Sequence, residues 1–292
     1  MQQYKLENEL LEIGITSVGA EICSIKSKKT GIEYMWQGNP EIWGSQAPVL
    51  FPIVGGLKND TYYVNQQPYH MPRHGFVRRN NRITLAEEKP HKITLELQSD
   101  ESTWLLYPFY FSFFISFELS GNQLTVSHLV TNPDDRSMYF SLGGHPAFNC
   151  PVHPSQSYSD YFLRFEKEEN LRTWNLNKSG QIAAEGEYVL KNSKILPLRD
   201  DMFEHDALIF KSLKSRSVSL CDASGERIRV RFPEFKSLGL WAKPKAPFIC
   251  IEPWLGYADA AGTNQHFMEK EGIIKLCGND SFSASYSIEI VE

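Results

Sequence analysis

Phe109-Tyr110-Phe111-Ser112-Phe113-Phe114-Ile115-Ser116-Phe117-Glu118-Leu119-Ser120-Gly121-Asn122-Gln123-Leu124-Thr125-Val126-Ser127-His128-Leu129-Val130 reads as two strands and the turn between them. Phe109, Phe111, Phe113, Ile115 and Phe117 share one parity; beyond Gly121-Asn122 the same holds for Leu124, Val126, His128 and Val130. A period of two places alternate side chains on one face, the mark of a strand with one side against a core. Gly-Asn between two such runs suits a tight antiparallel reversal. The apolar run from Tyr107 to Phe117 is shorter than a membrane span and carries Ser112 and Ser116, so it is read as a buried strand, with no membrane role.

The pattern continues in both directions. Upstream lie Leu11, Ile13 and Ile15, then Ile93, Leu95 and Leu97 alternating with Thr94, Glu96 and Gln98. Downstream come Ile228, Val230 and Phe232, then Ile249 and Ile251, and finally Phe282, Ala284, Tyr286, Ile288 and Ile290. Ser224-Gly225 is a second reversal signal, between Leu220 and Ile228. Helical periodicity is scarce: Asn264 to Lys270 allows a turn or two. Proline clusters at Pro151-Val152-His153-Pro154 and Lys243-Pro244-Lys245-Ala246-Pro247 read as loops. Strands spread over the whole length, without a long linker, a low-complexity tract or an internal repeat. They predict an all-β protein, one large antiparallel β-sandwich spanning residues 1–292 with few short helices.

Composition narrows the partners. A net charge of −5 provides no basic surface for a polyanion, which argues against nucleic acid. The five cysteines, Cys23, Cys150, Cys221, Cys250 and Cys277, are odd in number and scattered, with no C-x-x-C pair. Neither a disulfide framework nor a zinc knuckle follows, and a reducing compartment is expected. The start Met1-Gln2-Gln3-Tyr4-Lys5 lacks a basic end followed by an apolar stretch, so a cytoplasmic location is the expectation. Oligomeric state is not legible.

Three phrases carry chemistry: Pro72-Arg73-His74-Gly75-Phe76, Gly143-Gly144-His145-Pro146-Ala147-Phe148 and Ile251-Glu252-Pro253-Trp254. His145, after two glycines and before a proline, sits on extended backbone and reads as displayed at a strand end, the glycines letting the chain approach whatever binds. The competing reading is a histidine plugging a loop. Glu252 ends an apolar run, where burial lifts a carboxyl pKa and makes a stronger base; the competing reading is a structural partner for an arginine. His74 stands beside Arg73 in a segment whose plain alternative is a basic surface loop. Arg73, Arg78, Arg79 and Arg82 are either a solvated edge or a site for a substrate phosphate. Phe76, Trp241, Trp254 and Tyr257 offer ring faces to sugar C–H bonds or simply fill core. Asp206, before Ala207-Leu208, is a hydroxyl acceptor or a turn aspartate. His128 shares parity with core residues and is read as a hydrogen-bonded core histidine. The remaining histidines lack ligand spacing, so no metal and no cofactor are called for.

Taken with Leu50-Phe51-Pro52-Ile53-Val54-Gly55 and Asp206-Ala207-Leu208, these phrases occur in an order that resembles the aldose 1-epimerase, or galactose mutarotase-like, family and within it a LacX-type branch. The likeness covers nearly the whole chain. It implies a galactose mutarotase-like supersandwich whose cleft holds a monosaccharide, and interconversion of the α and β anomers of a hexose without a cofactor. By that resemblance His145 protonates the ring oxygen, Glu252 takes the proton of the anomeric hydroxyl, His74 lies near the ring oxygen and Asp206 grips a hydroxyl. Arg73, Phe76 and Trp254 are further candidate substrate contacts. One position departs from the family: Gly56 stands where a substrate-contacting arginine is expected, leaving Lys58 as the nearest cation, and lysine does not replace a planar two-pronged donor. Alternatives with the same fold are a hexose 6-phosphate substrate and a sugar-binding or sensing protein without catalysis. A glycoside hydrolase built on Asp206 and Glu252 would leave the histidines without work.

Overall fold

A computed structural model describes residues 2–292, and the pairings among its strands are antiparallel throughout. The larger sheet has nine strands. From edge to edge they are Ile182–Pro197, Phe162–Leu176, Ser217–Asp222, Gly225–Arg231, Ser281–Ile290, Gln123–Thr131, Ser112–Ser120, Lys92–Gln98 and Thr84–Lys89. The second sheet has six: Leu208–Phe210, Ser237–Trp241, Phe248–Leu255, Leu142–Gly144 and Val49–Leu50 in order, with Ala147–Asn149 also pairing with Phe248–Leu255. A three-stranded sheet formed by Gln3–Glu7, Leu11–Thr16 and Glu21–Ser27 and two hairpin-sized sheets complete the fold.

The alternating face read from Phe113, Ile115 and Phe117 is buried, as is that of Leu124, Val126 and Val130. Ser120 pairs with Gln123 across Gly121-Asn122, as the turn chemistry predicts. That strand begins at Ser112 rather than at Phe109, because Pro108 has no N–H to donate to a ladder and Phe109 N–H turns back to the Tyr107 carbonyl at 2.8 Å. The reversal near Ser224-Gly225 falls at Ala223-Ser224, where Gly225 already pairs with Asp222. Residues Phe267–Glu269 form a single 3-10 turn within the predicted Asn264–Lys270 segment. The two proline clusters are loops. No helix among the described residues is long and apolar enough to cross a membrane.

The two large sheets meet through interleaved rings. Phe51, just beyond the Val49–Leu50 strand, stacks on Phe113 of the nine-stranded sheet at 4.6 Å, and Phe140, Phe111 and Tyr107 surround it. Phe76 joins this cluster, edge-on to Phe51 at 6.4 Å. His128 is fully buried beside Phe113, with burial pushing it down to about 4. Neither of its ring nitrogens has a well-formed hydrogen bond, so the expected hydrogen-bonded core histidine is instead a neutral ring packed as an aromatic.

Candidate active site

His145 and Glu252 come together because two strands run past each other with an interrupted ladder. Gly143 pairs with Trp254 and Ala147 with Cys250, and between these registers His145 stands opposite Glu252. Pro146 and Pro253 occupy the same gap and lack N–H groups, so the ladder opens there. Cys250, Glu252 and Trp254 share one face of the strand by its period of two.

The glycines before His145 serve packing more than ligand approach. A Cβ on Gly143 would lie 2.8 Å from the Trp254 ring, and one on Gly144 would lie 2.7 Å from the Tyr286 ring. Across the sheet Gly239 leaves the same clearance for the far edge of the indole, 2.5 Å. Trp254 therefore lies flat in a slot cut by Gly143 and Gly239.

His145 Nε2 lies 3.2 Å from Glu252 Oε2, with both side chains almost wholly withdrawn from solvent. Burial pushes His145 down to about 3, helped by the positive field of Arg78 and Arg73. Burial also pushes Glu252 well above the ordinary carboxyl range, and Asp206 adds to the shift. The Trp254 indole N–H, which has no well-formed hydrogen bond, and the two arginines act in the opposite sense. The shifts point one way for the pair: between the lowered histidine and the raised carboxyl it holds a single proton, and the two placements of that proton differ by a transfer across 3.2 Å.

His74 is held by a reciprocal clasp in a left-handed backbone conformation, φ 68°. Its N–H donates to the Gly55 carbonyl at 2.9 Å, and Gly55 N–H donates to His74 Nδ1 at 3.2 Å. With Nδ1 accepting, the proton of the neutral ring is on Nε2. Burial, then His145, Arg78 and Arg73, lowers the His74 pKa and keeps the ring neutral. The His74 and His145 rings meet edge to face at 5.6 Å.

These groups border a hollow of ≈240 Å³, which also takes in Asp206, Arg73 and Trp254. Asp206, at φ 77° on a turn, accepts from Ala207 N–H through Oδ1 and lies 3.6 Å from Arg73 Nη2 through Oδ2. Two sequence candidates fall outside the lining. Phe76 belongs to the aromatic core around Phe51, because its ring follows the inward turn made where Phe76 N–H donates to the Phe51 carbonyl. Lys58 sits on a separate turn, where its N–H donates to Asp259 Oδ2 and its carbonyl accepts from Gln265. Gly56 leaves the space near it open: an added Cβ would come no closer than 3.5 Å to a neighbour, the Gly180 carbonyl, and 3.9 Å to Arg73 Nε.

Of the other wall residues, Trp241 and Arg78 were sequence candidates, whereas Trp43 and Leu176 are not evident from sequence. Trp43 stacks on the His145 ring at 5.1 Å, while Trp241 meets it edge-on at 5.9 Å. Arg78, one cation in a basic run, enters the hollow and donates to Ser45 Oγ at 3.3 Å. Leu176 arrives from the end of the long Phe162–Leu176/Ile182–Pro197 hairpin, whose Gly180 packs against Arg73. A tryptophan near Gly38 and Gly44 carried no motif, and the hairpin's charged residues hid its period.

A family model described as aldose 1-epimerase matches residues 2–262. The chain belongs to the aldose 1-epimerase family. The plasmid-borne protein LacX of Lactococcus lactis subsp. lactis is 35% identical over 297 residues, covering 98% of this chain and 99% of LacX. A galactose mutarotase related enzyme from Lactobacillus acidophilus superposes with a TM-score of 0.92 at 34% identity, covering 100% of this chain and 98% of the other. A galactose mutarotase-like protein from Lactobacillus casei superposes with a TM-score of 0.91 at 27% identity, covering 99% and 100%. The predicted galactose mutarotase-like sandwich is therefore the fold of this member of the family.

Proposed function

We propose that this family member is a cofactor-independent aldose 1-epimerase that equilibrates the α and β anomers of a free hexose. The observation that carries the reading is the His145–Glu252 pair, 3.2 Å apart on the border of a hollow sized for one monosaccharide. A glycoside hydrolase built on Asp206 and Glu252 would leave His145, paired with Glu252 at 3.2 Å, without a role, which disfavours that alternative. Ring opening must protonate the ring oxygen and deprotonate the anomeric hydroxyl, and both oxygens are bonded to the same carbon. An acid and a base serving them must be neighbours, not groups facing each other across the sugar.

Family resemblance assigns the acid to His145 and the base to Glu252. Moving the pair's single proton from Glu252 to His145 produces that form. His145 then gives its proton to the ring oxygen as Glu252 takes one from the anomeric hydroxyl, and the C–O bond opens. After rotation of the aldehyde the transfers reverse and close the ring on the other face, returning the pair to its starting proton count. His74, with its proton on Nε2, donates a hydrogen bond beside the ring oxygen. Asp206 accepts from a hydroxyl, Arg73 fixes Asp206, and Trp254 and Trp43 provide apolar walls for the C–H faces. Polarimetry on freshly dissolved α-glucose and α-galactose tests the reading: faster approach to the equilibrium rotation supports it. Sugar binding without acceleration would replace it by a non-catalytic sugar sensor.

A second reading is favoured by one feature, the presence of both Arg73 and Arg78 at the hollow. Two guanidinium groups suit a phosphate, so the substrate in this reading is a hexose 6-phosphate. A kcat/KM for glucose 6-phosphate at least about tenfold above that for glucose would select it; each tenfold step corresponds to about 1.4 kcal/mol of transition-state binding.

A further inference from the structure

The indole of Trp254 carries a donor that the proposed reaction leaves unassigned. A Cβ on Gly143, in one neighbouring strand, would stand 2.8 Å from its Cδ1; a Cβ on Gly239, in the other, would stand 2.5 Å from Cζ2 and 3.0 Å from Cε2. Nε1 is bonded between Cδ1 and Cε2, so the edge that spans the two glycines is the edge bearing the N–H. Gly143 pairs with Trp254 itself, whereas Gly239 pairs with Glu252. A line from one glycine to the other therefore crosses the central strand between Glu252 and Trp254, on the face that carries both side chains. The slot brings the N–H edge toward the Glu252 carboxyl group.

Trp254 is only 3% exposed, and its Nε1 is buried without a well-formed hydrogen bond. Buried donors are normally satisfied, and a hydrogen bond that serves a reaction is often long or poorly aligned until the reacting charge develops. An indole N–H donates and never accepts, so it favours a carboxylate over a carboxylic acid.

We propose that Trp254 is a positioning residue whose indole N–H closes on the Glu252 carboxylate when the pair's proton passes to His145, stabilising the base as it forms. The ring face is then a wall for the sugar, and the ring edge serves the glutamate. In keeping with this, the indole acts on the Glu252 pKa against burial, lowering it. The other ionisable groups around Glu252 are His145 on the facing strand, Cys250 on its own strand, Asp206, Arg73 and Arg78, and removal of the N–H alters none of them. The contact stands on the geometry; its effect on rate rests on the epimerase reading.

Replacement of Trp254 by benzothienylalanine, which has sulfur in place of the N–H, removes the donor and keeps the slot filled. The kcat should fall about 10- to 100-fold, the range of a hydrogen bond to a charged group, while KM for glucose stays within about twofold. The alkaline limb of kcat/KM should move up by about one pH unit or more, because a carboxylate deprived of its donor holds a proton more tightly. Trp254→Phe should move the limb in the same sense; should it unfold, the isostere decides. A ring that only packs predicts parental kcat and pH profile in the isostere, and that result overturns the proposal. A rise in KM alone also overturns it, by giving the N–H to the sugar. A second readout needs no turnover: the Trp254 indole N–H resonance of isotope-labelled protein, identified by its absence from Trp254→Phe, should shift as Glu252 titrates and stay still in Glu252→Gln. A resonance indifferent to that titration overturns the contact. One that shifts in a protein without mutarotation removes the epimerase reading and leaves the contact standing.

Discussion

At the scale of single residues, the proposed function rests on two groups, His145 and Glu252, that burial pushes in opposite directions. Glu252→Gln keeps the shape of the side chain and removes the base, so kcat should fall about 10²–10⁴-fold while KM and the folded state change little; steady-state polarimetry measures both. An active amide variant would take Glu252 out of its role. The pH dependence follows from the signs. His145, pushed down to about 3, gains a second proton for the pair only in strong acid, whereas Glu252, pushed up, gives away the pair's last proton only at a pH above the ordinary carboxyl range. The plot of kcat/KM should therefore keep its plateau down to about pH 5, where a solvated histidine has already charged. An acid limb centred at the ordinary histidine value of 6.5 would show that the imidazole titrates as if free. Both groups were legible from their neighbours, a Gly-Gly-His-Pro phrase and a glutamate closing an apolar run. Phe76 and Lys58 were misplaced because motif proximity says which residues adjoin along the chain, not which way a turn sends a ring or an amine.

Among the elements, the strand Phe248–Leu255 does the most. It is buried along nearly its whole length, pairs on both sides and presents Cys250, Glu252 and Trp254 on one face. Its indole needs the glycine slot across the sheet. Gly239→Ala would drive a Cβ to 2.5 Å from the Trp254 ring, so the variant should lose about 1–3 kcal/mol in urea unfolding and lower activity by tilting the wall beside Glu252. Unchanged stability would mean that the indole is free to move. Strands with strict alternation, such as Gln123–Thr131 and Ser281–Ile290, were readable because one face is core and the other is not. The hairpin Phe162–Leu176/Ile182–Pro197 was not: at the sheet edge, with Glu166, Lys167, Glu168 and Asn170 exposed and repeated register shifts, it shows no sustained period of two. It nevertheless contributes Leu176 to the hollow.

At the scale of the whole molecule, a large apolar core runs from Tyr4 to Ile290 and includes rings from both large sheets, and a smaller cluster of Leu50, Val54, Ile182, Ile209, Trp254, Tyr257 and Ala258 draws on strands of the same two sheets. Elements that share a core unfold together, so calorimetry should record one transition over 1–292. Two well-separated transitions would divide the chain into independent units. All-β character and antiparallel pairing could be read directly, and His145 and Glu252 could be singled out as candidates, because period, turn chemistry and local phrases are properties of neighbouring positions. The resemblance to the aldose 1-epimerase family added the fold. Folding alone decided the rest. It brought His145 to 3.2 Å from Glu252, sent Arg78 inward and Phe76 into the core, and set Trp43 on the imidazole. Those outcomes depend on strand register and sheet packing between distant segments, and a register shift of one residue would turn Glu252 to the opposite face without altering any motif.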